Sequence, residues 1–166
     1  VTVPKTILET LTFAAAISSG LVAGVFFAFS NFVMAGLGRL APVGGAAAMN
    51  SINVTVINPA FMLALFGTGL ACLVLAAGAW GSLGQLSGKL ALLASVLYVV
   101  GCVGVTMLCN VPLNSVLAAA QPGTPGADTL WSRYLIDWTM WNHVRTLASL
   151  LSAILFTASL LRHSGR

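Results

Sequence analysis

The sequence predicts an all-α protein, an integral membrane four-helix bundle formed as one unit over residues 1–166. Three observations carry that prediction. Hydrophobic residues make up 58% of the chain and charged residues only 6%, with a mean hydropathy of +1.00. A soluble domain carries about 25% charged residues, so this composition cannot clothe a surface that faces water. Four apolar stretches each reach the ~20 residues that a ~30 Å hydrocarbon layer demands at ~1.5 Å per residue. Gly-, Ser- and Pro-containing segments separate them. Lipid offers no partner to an open backbone, so the stretches are helices.

The first span covers residues 11–37 and is interrupted only by small or hydroxylated residues and Asn31. It is too long for a signal-peptide core and lacks a small-residue cleavage site, so it is expected to be retained. Ala16, Gly20, Gly24 and Ala28 recur every four residues along it, a stripe that admits a neighbouring helix closely, within the protomer or across a homo-oligomer. Gly38 to Ile57 is a long excursion whose run from Ala46 to Asn53 predicts a short interfacial helix. The second span, residues 59–80, opens with Asn58-Pro59, a helix cap followed by proline at the first helical position. Gly81 to Gly88 is a turn, and the third span follows at residues 90–109. Pro112 cannot donate to the carbonyl four residues earlier and is expected to bend or end that helix. Asn110 and Asn114 share one face there and can satisfy the freed carbonyls. Gln121-Pro122-Gly123-Thr124-Pro125-Gly126 marks a loop, and the fourth span covers residues 138–161. Trp131, Tyr134, Trp138 and Trp141 resemble an aromatic belt at the membrane surface.

The seven Lys and Arg residues, net charge +4, form no cluster, which argues against nucleic acid as a partner. They report topology instead. Lys5, Lys89, Arg162 and Arg166 fall on one side, Arg39 and Arg133 on the other, and Arg145 just inside a span. The positive-inside bias then puts both termini in the cytoplasm of a multi-pass plasma (cytoplasmic) membrane protein whose surroundings are lipid. Cys72, Cys102 and Cys109 lie in apolar runs and read as small buried hydrophobes.

Polar residues gather at the outward ends of the spans: Asn31, Asn58, Asn110, Asn114, and then Asn142, His143 and Arg145 beside Trp138 and Trp141. Polar groups at membrane depth cost a few kcal/mol unless paired, so their convergence predicts a shared cavity. The acids are Glu9, Asp128 and Asp137. Glu9 belongs to the opposite face, Asp128 to a loop, and Asp137 stands eight residues, about 12 Å, from Arg145 along the axis. Arg145 is therefore expected to lack a close carboxylate and to be available to an anion, unless it snorkels to a lipid phosphate. His143 stands about 30 Å from His163 on the same helix, so the two cannot share an ion. A single axial bond from His143 to haem is the remaining cofactor alternative. An imidazole ordinarily exchanges protons near neutral pH, which suits a general base. His143 and Arg145 are about 200° apart around a helix, so Trp138, Asn142, Arg145 and Ser149 form one stripe and Thr139, His143, Thr146 and Leu150 another. One stripe faces the cavity and the other a neighbouring helix.

Gly24-Val25-Phe26-Phe27-Ala28-Phe29-Ser30, Met49-Asn50-Ser51-Ile52-Asn53, Asn110-Val111-Pro112-Leu113-Asn114 and Trp141-Asn142-His143-Val144-Arg145-Thr146 resemble a small four-helix membrane family that includes the anthrone oxygenases. The resemblance spans about Leu11 to Leu161. It implies oxidation of an anthrone, or another small hydrophobic phenolic aromatic, by dioxygen without metal or flavin. The candidate catalytic residues are then His143 as base, with Arg145, Asn110 and Asn114 holding the enolate oxygens. The candidate substrate-binding residues are Asn31, Asn58, Trp138, Trp141 and Asn142. The alternative is a non-enzymatic membrane protein that binds a lipid, a quinone or another hydrophobic ligand, or an accessory subunit.

Overall fold

A computed structural model describes residues 4–164. Among them there is no strand, and five helices follow one another. Helix α1 runs through Lys5–Ala28, a π-helical turn at Phe29–Val33 and a last turn at Met34–Leu37. Helix α2 is Pro42–Thr55. Helix α3 comprises Pro59–Met62, a π turn at Leu63–Gly67, Thr68–Ala79 and a closing 3-10 turn at Trp80–Ser82. Helix α4 comprises Leu86–Val96, π-helical Leu97–Gly104 and Thr106–Asn110, and Val111–Ala119. Helix α5 is Pro125–Ser164. All but α2 are long and apolar enough to cross a membrane.

The four long helices pack in the ring order α1, α3, α4, α5, with the most extensive seam between α1 and α5. Between lipid-soluble helices the hydrophobic effect supplies little, so close approach and hydrogen bonds must hold the seams. Both are present. A Cβ placed on Gly101 of α4 would lie only 2.6 Å from Ala148 Cβ of α5, so glycine sets that spacing. Ser152 and Ser159 of α5 donate to Ala94 O and Ser87 O of α4, each at 2.9 Å. Thr68 of α3 donates to Ser18 of α1 at 2.6 Å. Bonds of this kind are worth about 0.6 kcal/mol each in a bilayer. The small-residue stripe of α1 is only partly a seam. Ala16 is buried and Gly20 faces Ala153 of α5, whereas Gly24 looks into open space.

The helices outrun the spans expected at residues 11–37, 59–80, 90–109 and 138–161. Hydropathy marks the part bathed in hydrocarbon, while the helix continues as far as neighbours cover its backbone. The 40 residues of α5 reach about 60 Å, twice the hydrocarbon thickness. Both α2 and the end of α4 pack against α5. Pro112 neither ends nor interrupts α4. The π turn before it absorbs the missing donor: Val111 N–H bonds to Thr106 O five residues back, and Pro112 falls in the first turn of the final segment. The short helix expected over residues 46–53 is part of α2.

Two cores result. One fills the bundle, with Val22, Phe26, Leu65, Cys72, Tyr98, Cys102 and Phe156. The other lies at the end away from the termini and joins Met34, Met49, Leu117, Trp131, Tyr134 and Trp138. Trp131 and Tyr134 are therefore not a lipid-facing belt. They stack at 5.7 Å inside this second core, where α2 covers them.

Candidate functional site

Between the two cores lies a cavity of about 600 Å³. Every helix contributes a wall. Phe26 and Phe29 come from α1, Met49, Asn50 and Asn53 from α2, and Phe61, Leu65 and Phe66 from α3. Thr106, Met107, Asn110 and Asn114 come from α4, and Trp138 and Arg145 from α5. The cavity sits at the end of the bundle where the sequence gathers its amides. The polar residues of the walls come from α2, α4 and α5, while α1 and α3 supply apolar and aromatic side chains.

Arg145 is the single ionisable side chain on these walls. It is 4% exposed and turned inward, so it does not snorkel to lipid. Its Nη2 donates to Asn142 Oδ1 at 2.7 Å and its Nη1 to Thr106 Oγ1 at 3.4 Å. Its Cζ lies 4.1 Å from the centre of the Phe26 ring and 5.0 Å from that of Trp138. Ring faces attract a cation by about 0.5–2 kcal/mol, far less than a carboxylate at this depth. The polar partners of Arg145 among the described residues are all neutral. The positive charge is positioned, but not neutralised.

Asn142 is what positions it. Its side-chain amide donates to Phe26 O and to Ser30 Oγ of α1, both at 2.7 Å, while its oxygen holds the guanidinium. One buried amide thus ties α5 to α1 and aims Arg145. Asn142→Ala is expected to cost about 1–3 kcal/mol, because it strands the Arg145 and Phe26 partners in a dry interior. A lowered midpoint in thermal unfolding of the detergent-solubilised protein checks this.

Five buried polar atoms on the walls have no hydrogen-bond partner among the described residues: Arg145 Nε, Trp138 Nε1, Asn53 Nδ2, Asn110 Oδ1 and Asn50 Oδ1. Three donate and two accept. Orphaned groups of this kind are expensive, so a cluster of them facing one hollow describes the polar outline of a ligand. The rest of the lining is aromatic and aliphatic, with Phe29 and Trp138 at 5.6 Å and Phe26 and Phe61 at 6.3 Å between ring centres.

The expected site residues divide. Arg145, Asn110, Asn114 and Trp138 line the cavity, and Asn142 stands directly behind Arg145. Asn110 Nδ2 donates to Trp138 O at 3.1 Å, and Asn114 accepts from Tyr134 OH at 2.8 Å. Both amides therefore brace α5, instead of satisfying carbonyls of their own helix. The others lie elsewhere. His143 is exposed on the outer face of α5 and lines no part of the cavity. Of the two stripes on that helix, the one with Trp138, Asn142, Arg145 and Ser149 is buried; in the other, Thr146 is buried beside Ser30 of α1, Thr139 is half-buried, and His143 and Leu150 are exposed. Asn31, within the π turn at Phe29–Val33, is exposed and lines no part of the cavity. Asn58 caps α3 by accepting from Phe61 N at 3.0 Å. Trp141 is half-buried and off the walls. Among the described residues no three His, Cys, Asp or Glu side chains gather to hold an ion.

Residues 55–155 match the family model described as Anthrone oxygenase. The chain belongs to the anthrone oxygenase family. No curated protein and no solved structure shows a match to it. In this anthrone oxygenase family member the matched stretch supplies the α3, α4 and α5 walls, and with them Thr106, Asn110, Asn114, Trp138 and Arg145. The α1 wall and most of α2 fall outside it.

Sequence reasoning missed Asn50, Asn53 and Thr106 as wall residues. A signal existed for the first two: Asn50 and Asn53 are three apart and so share a face of α2. Nothing in the spacing shows that this face turns down onto the bundle.

Proposed function

We propose that this family member oxidises an anthrone-type or similar phenolic aromatic with dioxygen, the substrate reacting as an anion held by Arg145. The observation that carries the reading is the buried, uncompensated guanidinium on the wall of an aromatic-lined cavity. An anthrone is a weak acid at its methylene carbon, and its conjugate base is an enolate with charge on oxygen. A nearby cation in a low-dielectric site favours that charged form. Arg145 and the Trp138 N–H supply donors for the oxyanion, as an oxyanion hole does. Asn110 Oδ1 and Asn50 Oδ1 are suited to accept from ring hydroxyls.

The electron balance is complete without a cofactor. The enolate carbon gives an electron pair to dioxygen and a C–O bond forms. Protonation yields a hydroperoxide, and loss of water leaves a ketone, so CH₂ plus O₂ becomes C=O plus H₂O. The walls offer no imidazole or carboxylate as base, so the substrate ionises because the site stabilises its anion, and the proton leaves to solvent. This differs from a mechanism in which His143 is the base. His143→Ala is accordingly expected to change turnover by less than about twofold, whereas a positioned general base is worth about 10²–10⁴.

The test is protein reconstituted in lipid nanodiscs, supplied with anthrone in air, with dioxygen uptake and anthraquinone absorbance followed together. Equimolar consumption and product support the oxygenase. Tight binding without turnover favours the non-enzymatic ligand-binding reading, for which the lack of a lining base speaks. Neither binding nor turnover overturns both.

A further inference from the structure

The cavity is covered on some sides and open on others. On the side away from the termini, α2 roofs it, packed on α4 and α5 through the second core. The fit there is tight: a Cβ on Gly45 would meet the Trp131 ring at 2.7 Å and Leu37 O at 2.8 Å. Below, Leu65, Tyr98 and Cys102 fill the bundle interior. The flank between α3 and α4 is different. These helices meet where Gly69 faces Val103 and where Tyr98 OH donates to Leu65 O at 3.2 Å. Further out, no substantial packing joins Pro59–Met62 or Leu63–Gly67 to Thr106–Asn110 or Val111–Ala119. Phe66 and Met107, which line the cavity, are 41% and 47% exposed on its outside edge, and Ile57 and Val111 continue the rim.

The depth of this gap decides what it faces. Helix α3 spans 24 residues, about 36 Å, little more than the ~30 Å hydrocarbon layer. Phe66 lies about 10 Å along it, within the hydrocarbon. An opening to water would carry several polar or charged side chains at its rim, and this one carries Phe66, Met107, Val111 and Ile57, with Ser115 one turn beyond Val111.

We propose that the gap between α3 and α4 is a lateral portal, through which a lipid-dissolved aromatic passes from the bilayer to Arg145, with Phe66 and Met107 as its posts. The inference rests on the functional reading above for the identity of the substrate. The geometry also explains how a site under a closed roof is filled. A flat, uncharged phenol partitions into the membrane, slides between the helices edge-on, and ionises only on reaching the guanidinium. Both posts belong to or adjoin π turns, Leu63–Gly67 and Thr106–Asn110, a backbone form that recurs at functional sites in helices.

The test places a thiol at the rim. Met107→Cys is made in a Cys109→Ser background, where Cys72 and Cys102 are buried, and is reconstituted in phosphatidylcholine nanodiscs. A lipid-soluble N-alkyl maleimide is expected to modify it at least tenfold faster than a sulfonated maleimide. The modified protein is expected to take up anthrone at least tenfold more slowly. Leu108→Cys, whose parent side chain is exposed but off the cavity wall, should label as readily and leave uptake unchanged. Equal labelling by the sulfonated reagent would show that the gap opens to water, and unchanged uptake after modification would show another route; either result overturns the portal. If unmodified protein takes up no anthrone, the oxygenase reading is what fails, and the ratio of labelling rates still decides whether the gap faces lipid.

Discussion

Arg145→Gln is expected to lower turnover of an anthrone by about 10²–10³, the usual consequence of removing a preorganised oxyanion donor. Arg145 lies on the wall with Nε unpartnered and its charge unmatched. Glutamine keeps a polar group of lesser reach and abolishes the charge that favours the enolate. The same variant should unfold at a temperature equal to or above that of the parent, because a buried cation without a carboxylate is a cost to the fold. Activity and stability moving in opposite directions would mark the residue as functional. Arg145→Lys should recover part of the rate, since it restores charge without the fork that engages Asn142 and Thr106 together. Steady-state kinetics by anthraquinone absorbance, with thermal unfolding of the same samples, measures both. Parental turnover in Arg145→Gln would end the anion-stabilising mechanism.

Gly45→Val should remove the roof of the site. The Cβ of any larger residue would lie 2.7 Å from Trp131 Cζ2 and 2.8 Å from a main-chain oxygen, Leu37 O. The ring is itself buried and stacked on Tyr134, so it has nowhere to retreat, and α2 must lift from α5. Overpacking of this sort costs about 1–3 kcal/mol or more. Asn50 and Met49 move with α2, so anthrone affinity should fall at least tenfold. Gly44→Val is the matched control, because a Cβ there meets nothing within 4 Å; it should bind and melt as the parent does. Equal behaviour of the two variants would show that α2 is not seated as described.

Much of the fold was legible because lipid is a simple solvent. Four apolar stretches of membrane length leave helices as the solution, and Asn58-Pro59 announced the start of α3 through a cap that forms as expected. Helix ends were less legible. Hydropathy ends where hydrocarbon ends, yet α5 begins at Pro125 and α4 persists to Ala119 because each covers the other and α2 covers both. Pro112 misled for a local reason: a proline breaks an α-helical ladder, and a π turn just before it offers a different ladder.

The candidate site shows the same division. The outward gathering of amides with Arg145, and the absence of a nearby acid, follow from counting residues along spans. Which stripe of α5 points inward does not. His143 and Arg145 lie on opposed faces, and hydropathy alone ranks neither as buried; the bond from Arg145 to Asn142, and from Asn142 to α1, selects the face.

The chain's chemistry therefore determined the solvent, the helix count and the end of the bundle where polar groups collect, since each depends on residues near one another in sequence. Only the tertiary structure decided that Arg145 is enclosed and His143 is not, that α2 covers one side of the cavity, and that α3 and α4 part beside it. Those outcomes depend on rotation and spacing between helices. They are fixed by contacts such as Gly45 on Trp131 and Gly101 on Ala148, which join residues tens of positions apart.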